Sequence, residues 1–153
     1  MALSVDAELQ ALTAQWQAAA PAGLPAGLGA MTWELITREV GDWHRFRNRR
    51  QVASYTGLCP SEHSSGQTRR QGAITRHGNP RLRHLLIEAV WRLLKFQPQY
   101  RAMTKWRDAR TALRLSGARK KKIIVAIARQ LAVELWRLAT GRTTAAALGL
   151  QTT

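Results

Sequence analysis

The sequence predicts a mainly α fold: a small helical domain with a helix-hairpin-helix-like N-terminal part, a glycine/arginine-rich loop able to form a short hairpin, and three long C-terminal helices. Three observations predict it. Apolar residues recur at i, i+3, i+4 and i+7 in several stretches. Glycine and proline fall between those stretches, where they start and stop helices. One long stretch, Leu58 to Gly78, lacks any helical period. At 153 residues the chain is about one domain long. A chain of this size can bury roughly 70% of its unfolded surface.

Val5 to Ala19 reads as the first helix, with Ser4 as N-cap and Asp6 and Glu8 in the first turn, where the helix dipole favours acids. Leu9, Leu12 and Trp16 form one apolar stripe, suited to a core or to a partner-helix seam. A Pro/Gly hinge follows at Ala20 to Ala26. Gly27-Leu28-Gly29 then opens a helix over about Ala30 to Val40. Backbone N–H groups at such a turn can meet a phosphate, and a plain glycine turn between packed helices explains the same residues. Gly41-Asp42 ends that helix. Trp43 and Phe46 are expected in the core, because aromatic rings bury large areas. Asn48 caps a short helix, Arg49 to Thr56, stopped by Gly57.

Within Leu58 to Gly78, Thr68-Arg69-Arg70 and Ala73-Ile74-Thr75-Arg76 are candidate short strands. A segment of this length with little regular structure tends to be functional. Asn79-Pro80 starts the next helix as N-cap and first helical residue. That helix runs to about Phe96, with Leu82, Leu85, Leu86, Ala89, Val90 and Leu93 on one face. The pattern from Gln99 to Ser116 predicts a second long helix with Tyr100, Met103, Trp106 and Leu113 inward, ended by Gly117. Arg119 to Lys122 lead into a third, Ile123 to Thr140, whose face carries Ile124, Ile127, Ala128, Leu131, Leu135 and Leu138. The expected division is a linker helix and hinge at 1–23, a main domain at 24–142 and a frayed, flexible tail at 143–153.

Charge separates the chain. There are 24 Lys and Arg against 9 Asp and Glu, a net charge of +15. No basic residue precedes Arg38. Self-repulsion at that charge opposes compaction, so a polyanionic partner is expected. Cys59 is the lone cysteine. That excludes an intramolecular disulfide and a cysteine-rich zinc site, and fits a reducing cytoplasm. No signal peptide and no membrane-spanning apolar run is read.

The chemistry concentrates between Gly57 and Arg83. Ser64-Ser65-Gly66 forms a small polar turn, followed closely by Arg69, Arg70, Arg76, Arg81 and Arg83. Guanidinium forks suit phosphate geometry and stay charged at any working pH. Ser-Ser-Gly also occurs in ordinary loops, and the residues alone assign no role to either serine. His63, His77 and His84 are as open to backbone or phosphate contacts as to acting as bases. Glu88 stands four residues before Arg92, a spacing that suits an ion pair. The Arg119-Lys120-Lys121-Lys122 run suits a nucleic-acid backbone.

Several motifs together carry a family resemblance. They are Gly57-Leu58-x-Pro60-Ser61-Glu62, Ser65-Gly66, Ile74-Thr75-Arg76-x-Gly78-Asn79 and Leu82-Arg83-x-Leu85-Leu86-x-Glu88-Ala89. Gly27-Leu28-Gly29, Asp42, Arg45-Phe46, Gln51-x-Ala53-Ser54-Tyr55 and the helix Ile123 to Trp136 extend the match over roughly Leu24 to Gly141. This pattern resembles the C-terminal transposase domain of the insertion sequence 110 family.

The resemblance implies a site-specific DNA recombinase guided by a structured bridge RNA, with a serine nucleophile for strand exchange. By motif the nucleophile is Ser65, with Ser64 as second choice. The implied nucleic-acid contacts are Arg69, Arg70, Arg76, Asn79, Arg81, Arg83, Arg119, Lys120, Lys121 and Lys122. In the family an RNase-H-like domain brings an Asp-Glu-Asp-Asp set that binds Mg2+. No such acidic pattern is read in this chain, so no metal or cofactor of its own is expected and the domain reads as truncated or incomplete alone. The implied partners are DNA, bridge RNA, and a second copy or a full-length transposase, with no membrane. The implied location is the bacterial cytoplasm, at the nucleoid. A transposase remnant that binds nucleic acid without catalysis is the alternative.

Overall fold

The computed structural model describes residues 4–19, 24–58, 60–65, 68–74, 78–111 and 116–152, with side chains left out at 16–19, 60–65, 68–74, 105 and 109–111. The fold is mainly helical, as the sequence predicts. Its helices are α1 (Val5–Ala19), α2 (Ala30–Val40), α3 (Arg49–Thr56), α4 (Pro80–Phe96), α5 (Thr104–Thr111) and α6 (Gly117–Ala139). Strands β1 (Pro60–Ser65) and β2 (Thr68–Ile74) form one antiparallel hairpin between α3 and α4.

The core gathers where α6 packs on α4 and α3, and α2 packs on α4 in the same cluster. Leu82, Leu86, Ala89, Val90 and Leu93 of α4 are buried, as are Ile124, Ile127, Ala128, Leu131 and Leu135 of α6. Each fully buried Leu or Ile contributes roughly 1.5–3 kcal/mol over an exposed one. Leu85 and Leu138 are half-buried against this core. Trp43 and Phe46 are buried as expected, and Trp43 stacks on Trp33 with ring centroids 6.2 Å apart.

The stripe on α1 is not core: Leu9 and Leu12 are exposed, and Trp16 lies outside the described side chains. Helix α1 packs on α2. The glycine turn between them is accounted for by close packing. Gly27 has φ +89°, and a side chain there would meet the Phe96 ring at the end of α4.

The C-terminal region departs from expectation in three places. The middle long helix is absent over its first part: a 3-10 turn at Arg101–Met103 leads into the short α5, and 112–115 lie outside the described residues. Tyr100 and Met103 are nevertheless buried and Trp106 packs on the core, so the inward residues were read correctly up to that point. Gly117 does not end a helix but begins one. Ser116 caps α6, its Oγ accepting the Arg119 N–H at 3.2 Å, so Arg119 to Lys122 occupy the helix's first turns.

The tail does not fray. Leu148 and Leu150 are buried, and Thr152 bridges back to Pro25. Buried Gln97 holds the tail near its end. Its side-chain amide donates to the carbonyls of Ala26 (2.9 Å) and Gln151 (2.7 Å), and its oxygen accepts the Gln151 N–H at 2.9 Å. One side chain thus ties the end of α4, the glycine turn and the tail together.

Candidate nucleic-acid interface

The hairpin rests on a base built by α2, α3 and α4. Asn48 caps α3 through its side-chain oxygen, which accepts the Gln51 N–H at 3.0 Å. The Gln51 side chain reaches back to the Arg47 N–H at 2.7 Å, so two free donors at the helix start are satisfied reciprocally. Gly57 ends α3 in the left-handed conformation. Thr56 Oγ1 donates to the Ala53 carbonyl and accepts the Leu58 N–H, and Leu58 is fully buried. The outgoing strand therefore leaves from a fixed point.

The return is fixed beside it. Gly78, at φ +142°, lies against the Tyr55 carbonyl and the Gly57 N–H so closely that no side chain fits. The Asn79 N–H donates to the Tyr55 carbonyl at 2.8 Å. Asn79 then caps α4: its side-chain oxygen accepts the N–H groups of Arg81 and Leu82, both at 3.0 Å. Its amide nitrogen donates to Glu39 at 2.7 Å and to the Tyr55 hydroxyl at 3.2 Å. That hydroxyl donates to the Glu39 carbonyl at 2.6 Å. Asn79, predicted as a nucleic-acid contact, spends its polar atoms in this clasp between three helices.

The two arginines at the start of α4 also lean on the base. Arg83 donates to the Thr56 carbonyl at 3.4 Å, while the largely exposed Arg81 sits 3.7 Å from Glu39. A pair so exposed contributes little, and its guanidinium remains accessible.

Above the base, β1 and β2 pair in one register: Glu62 with Gln71, His63 with Arg70, Ser64 with Arg69 and Ser65 with Thr68. The register shifts between Pro60 and Glu62, where Gly72 and Ala73 stand against Ser61 alone. An extra residue of this kind increases the local twist. Strand β2 covers the expected Thr68-Arg69-Arg70 strand and the Ala73-Ile74 half of the second, while Thr75 and Arg76 lie outside the described residues; its partner over Pro60 to Ser65 is a strand that the sequence did not suggest. Arg76, His77 and the two residues joining the strands lie outside the described residues.

The structure therefore brings Ser64, Ser65, Arg69 and Arg70 onto one hairpin, with Arg81 and Arg83 at its root. Arg119, Lys120, Lys121 and Lys122 stand exposed on a different element, the first turns of α6. The expected Glu88–Arg92 pair does not form. Glu88 lies 3.0 Å from His84, and Arg92 reaches across to the Thr32 hydroxyl of α2. Asp42 caps the 3-10 turn Trp43–Arg45, and the His44 N–H it accepts holds its carboxyl below the usual value. Arg45 lies over the rings of Phe46 and Tyr55, 4.8 and 4.4 Å from their centroids.

The sequence offers Arg49 and Arg50 as phosphate contacts, but not the basic groove that folding makes of them with three arginines from elsewhere. A groove of about 830 Å³ lies between α3 and α6, lined by Arg49, Arg50, Arg101, Arg129 and Arg137 around the buried Glu134. Glu134 falls on the apolar face of α6 between Leu131 and Leu138, and an acid in such a stripe is the signal that could have found it. Burial pushes its carboxyl up to about 7, with Arg137 pulling it back. Among the described residues, no group of three or more His, Cys, Asp or Glu is arranged to hold a metal ion. Nor is any described helix long and apolar enough to cross a membrane.

The chain is 42% identical over 92 residues to a putative transposase, y4rJ, of Sinorhizobium fredii, covering 60% of this chain and 23% of that protein. It is 31% identical over 121 residues to a probable family 20 transposase of Pseudomonas aeruginosa, covering 76% and 34%. It is 32% identical over 107 residues to a pilin gene-inverting protein of Moraxella bovis, covering 69% and 31%. The chain thus spans between 23% and 34% of the length of these relatives. No solved structure matches it significantly. The profile of the transposase IS116/IS110/IS902 family matches residues 25–105, more than half of the chain, and the chain belongs to that family.

Proposed function

We propose that this chain is a DNA strand-exchange domain of a transposase, in which Ser65 is the nucleophile and the arginines beside it hold the phosphate. The single observation that carries this reading is the hairpin register on its clamped base. It sets Ser64 against Arg69 and His63 against Arg70, one and two steps along from the Ser65–Thr68 pair. The proposed nucleophile and the arginines proposed as its phosphate clamp then belong to one hairpin, and holding reacting groups on one element is what positioning catalysis needs.

In the proposed step the Ser65 hydroxyl oxygen bonds to a DNA phosphorus and the bond from phosphorus to one deoxyribose oxygen breaks. The serine proton ends on the departing oxygen. Charge building on the phosphoryl oxygens would be met by the guanidinium groups of the neighbouring arginines. The serine ester conserves the bond energy, so a second deoxyribose hydroxyl can reverse the attack and join a new strand. Cations in the first turns of α6 oppose that helix's own dipole. Their presence there supports a role toward an external polyanion. Mg2+ would belong to an acidic domain that acts with this one, and the described residues offer it no suitable cluster. A bridge RNA and a second copy are proposed partners on the same family grounds.

The test mixes the chain with an RNase-H-like domain supplied in trans, bridge RNA and target DNA, and looks for a covalent protein–DNA adduct. The adduct should form with wild type and Ser64→Ala and vanish with Ser65→Ala. Loss in Ser64→Ala alone would reassign the nucleophile. Salt-sensitive binding with no adduct from any variant would favour a non-catalytic remnant.

A further inference from the structure

We propose that the groove between α3 and α6 is a second phosphodiester-binding surface, along which a nucleic-acid backbone runs over α3 toward the base of the hairpin. It deepens the proposed role and rests on that reading for the class of partner, but not on the identity of the nucleophile.

The groove concentrates like charge. Arg49 and Arg50 stand on α3, Arg101 on the 3-10 turn, and Arg129 and Arg137 on α6. Among the described residues, none of these five guanidinium groups makes a hydrogen bond or ion pair. Their convergence costs repulsion that Glu134 alone offsets within the groove, and only when ionised; an external anion would relieve the rest. Planar guanidinium forks favour phosphate oxygens over a spherical ion. The surface also has a direction. A shallower depression beside it is lined by Asn48, Arg50, Gln51, Ser54, Tyr55 and Gly78. The two share Arg50 and Ser54, so the groove opens along α3 into a polar depression that reaches Tyr55 and Gly78, residues that clamp the hairpin.

The single acid inside the groove makes the surface pH-sensitive. Glu134 is held by the Tyr100 hydroxyl and by Gln130, whose amide nitrogen is 2.9 Å away. The groups facing it are Arg49 and Arg50 from α3, Tyr100 and Arg101 beside the 3-10 turn, and Arg129 and Arg137 on its own helix. With its carboxyl titrating at about 7, Glu134 is neutral below that value and repels a phosphate above it. By linkage, binding should tighten as pH falls through neutrality.

Fluorescence anisotropy tests this with a labelled DNA duplex and a labelled single-stranded RNA, each titrated over a salt series. Arg50→Gln/Arg101→Gln removes two exposed charges from opposite walls. Arg38→Gln/Lys95→Gln, equal in charge and outside the groove, is the control. The groove variant should lower the slope of log K against log salt by about 1.8 on duplex DNA, from ~0.9 per phosphate contact, and weaken binding by on the order of tenfold or more. Glu134→Gln, a neutral residue of the same shape, should bind as tightly about one unit above neutrality as below it, unlike wild type. An effect on DNA alone or on RNA alone assigns the strand and supports the surface. A groove variant indistinguishable from the control on both, or Glu134→Gln that keeps the wild-type pH response, would overturn it. The assay forms no covalent bond, so it fails or succeeds apart from the Ser65 assignment.

Discussion

Gly78→Ala should loosen the base of the hairpin. The backbone there has φ +142°, a conformation side chains rarely adopt. Holding alanine in it costs roughly 1–3 kcal/mol. The added methyl would also lie 2.8 Å from the Gly57 nitrogen and closer still to the Tyr55 carbonyl. Something must shift, and the nearest bond to yield is the one from the Asn79 N–H to that carbonyl, now 2.8 Å long. A hydrogen bond of this kind is worth about 0.5–1.5 kcal/mol. The two effects together predict a loss of about 3 kcal/mol. At roughly 2–4 °C per kcal/mol for a chain of this size, that lowers the melting temperature by about 10 °C. Circular dichroism during thermal and urea unfolding reads it. Gly117→Ala is the control, because a methyl there meets nothing within 4 Å and the φ is ordinary. It should be neutral, or stabilising by up to about 1 kcal/mol. If Gly78→Ala stayed within about 0.5 kcal/mol of wild type, the clamped base would be refuted.

Two further perturbations test the frame. Gln97→Leu keeps the volume but leaves the Ala26 carbonyl and the Gln151 N–H without their partner, while the Gln151 carbonyl still accepts the Ala26 N–H. At about 1–3 kcal/mol for each of the two groups left unpaired, it should cost roughly 2–6 kcal/mol, and faster proteolysis of the freed tail would show where; unchanged stability and proteolysis would contradict the latch. Glu134 sets a pH dependence of stability. Its folded value of about 7 lies above the ordinary 4.5, so the folded state holds the proton more tightly. Stability from this group is full below about 4.5, falls as pH rises toward 7, and is then level; the shift corresponds to roughly 3 kcal/mol. Urea titrations of wild type and Glu134→Gln across that window should differ in slope, and parallel curves would contradict the burial of this carboxyl.

The helices that build the core were legible because their reason for forming is local. The apolar faces of α4 and α6 repeat at helical spacing, and Asn79-Pro80 announces a helix start by its own chemistry. Where two local signals compete, the sequence misleads. Ser116-Gly117 reads as a glycine stop, yet Ser116 caps α6 and the glycine becomes its first residue. Residues acting at a distance gave no signal. Leu148 and Leu150 flank Gly149 in a segment without period, and only the Gln97 amide far upstream shows why they dock. At the site, the density of arginines stood out in the sequence, while Ser65 was singled out only by the family motif. Their pairing could not be read, because a register is set across strands rather than along them. Asn79 carried two meanings, and its contacts with Glu39 and Tyr55 show the structural one. The groove arginines are scattered over three elements, so only folding makes them a group.

The central claim is that Ser65 forms the covalent bond to DNA. Its most direct test is the mass of the linked peptide. Trypsin releases Gln51 to Arg69 as one fragment, which holds Ser54, Tyr55, Ser61, Ser64 and Ser65 together. After nuclease trimming of the adduct, fragmentation of that peptide should place the residual nucleotide on Ser65. A nucleotide on Ser64, on Tyr55 or outside this peptide would contradict the account.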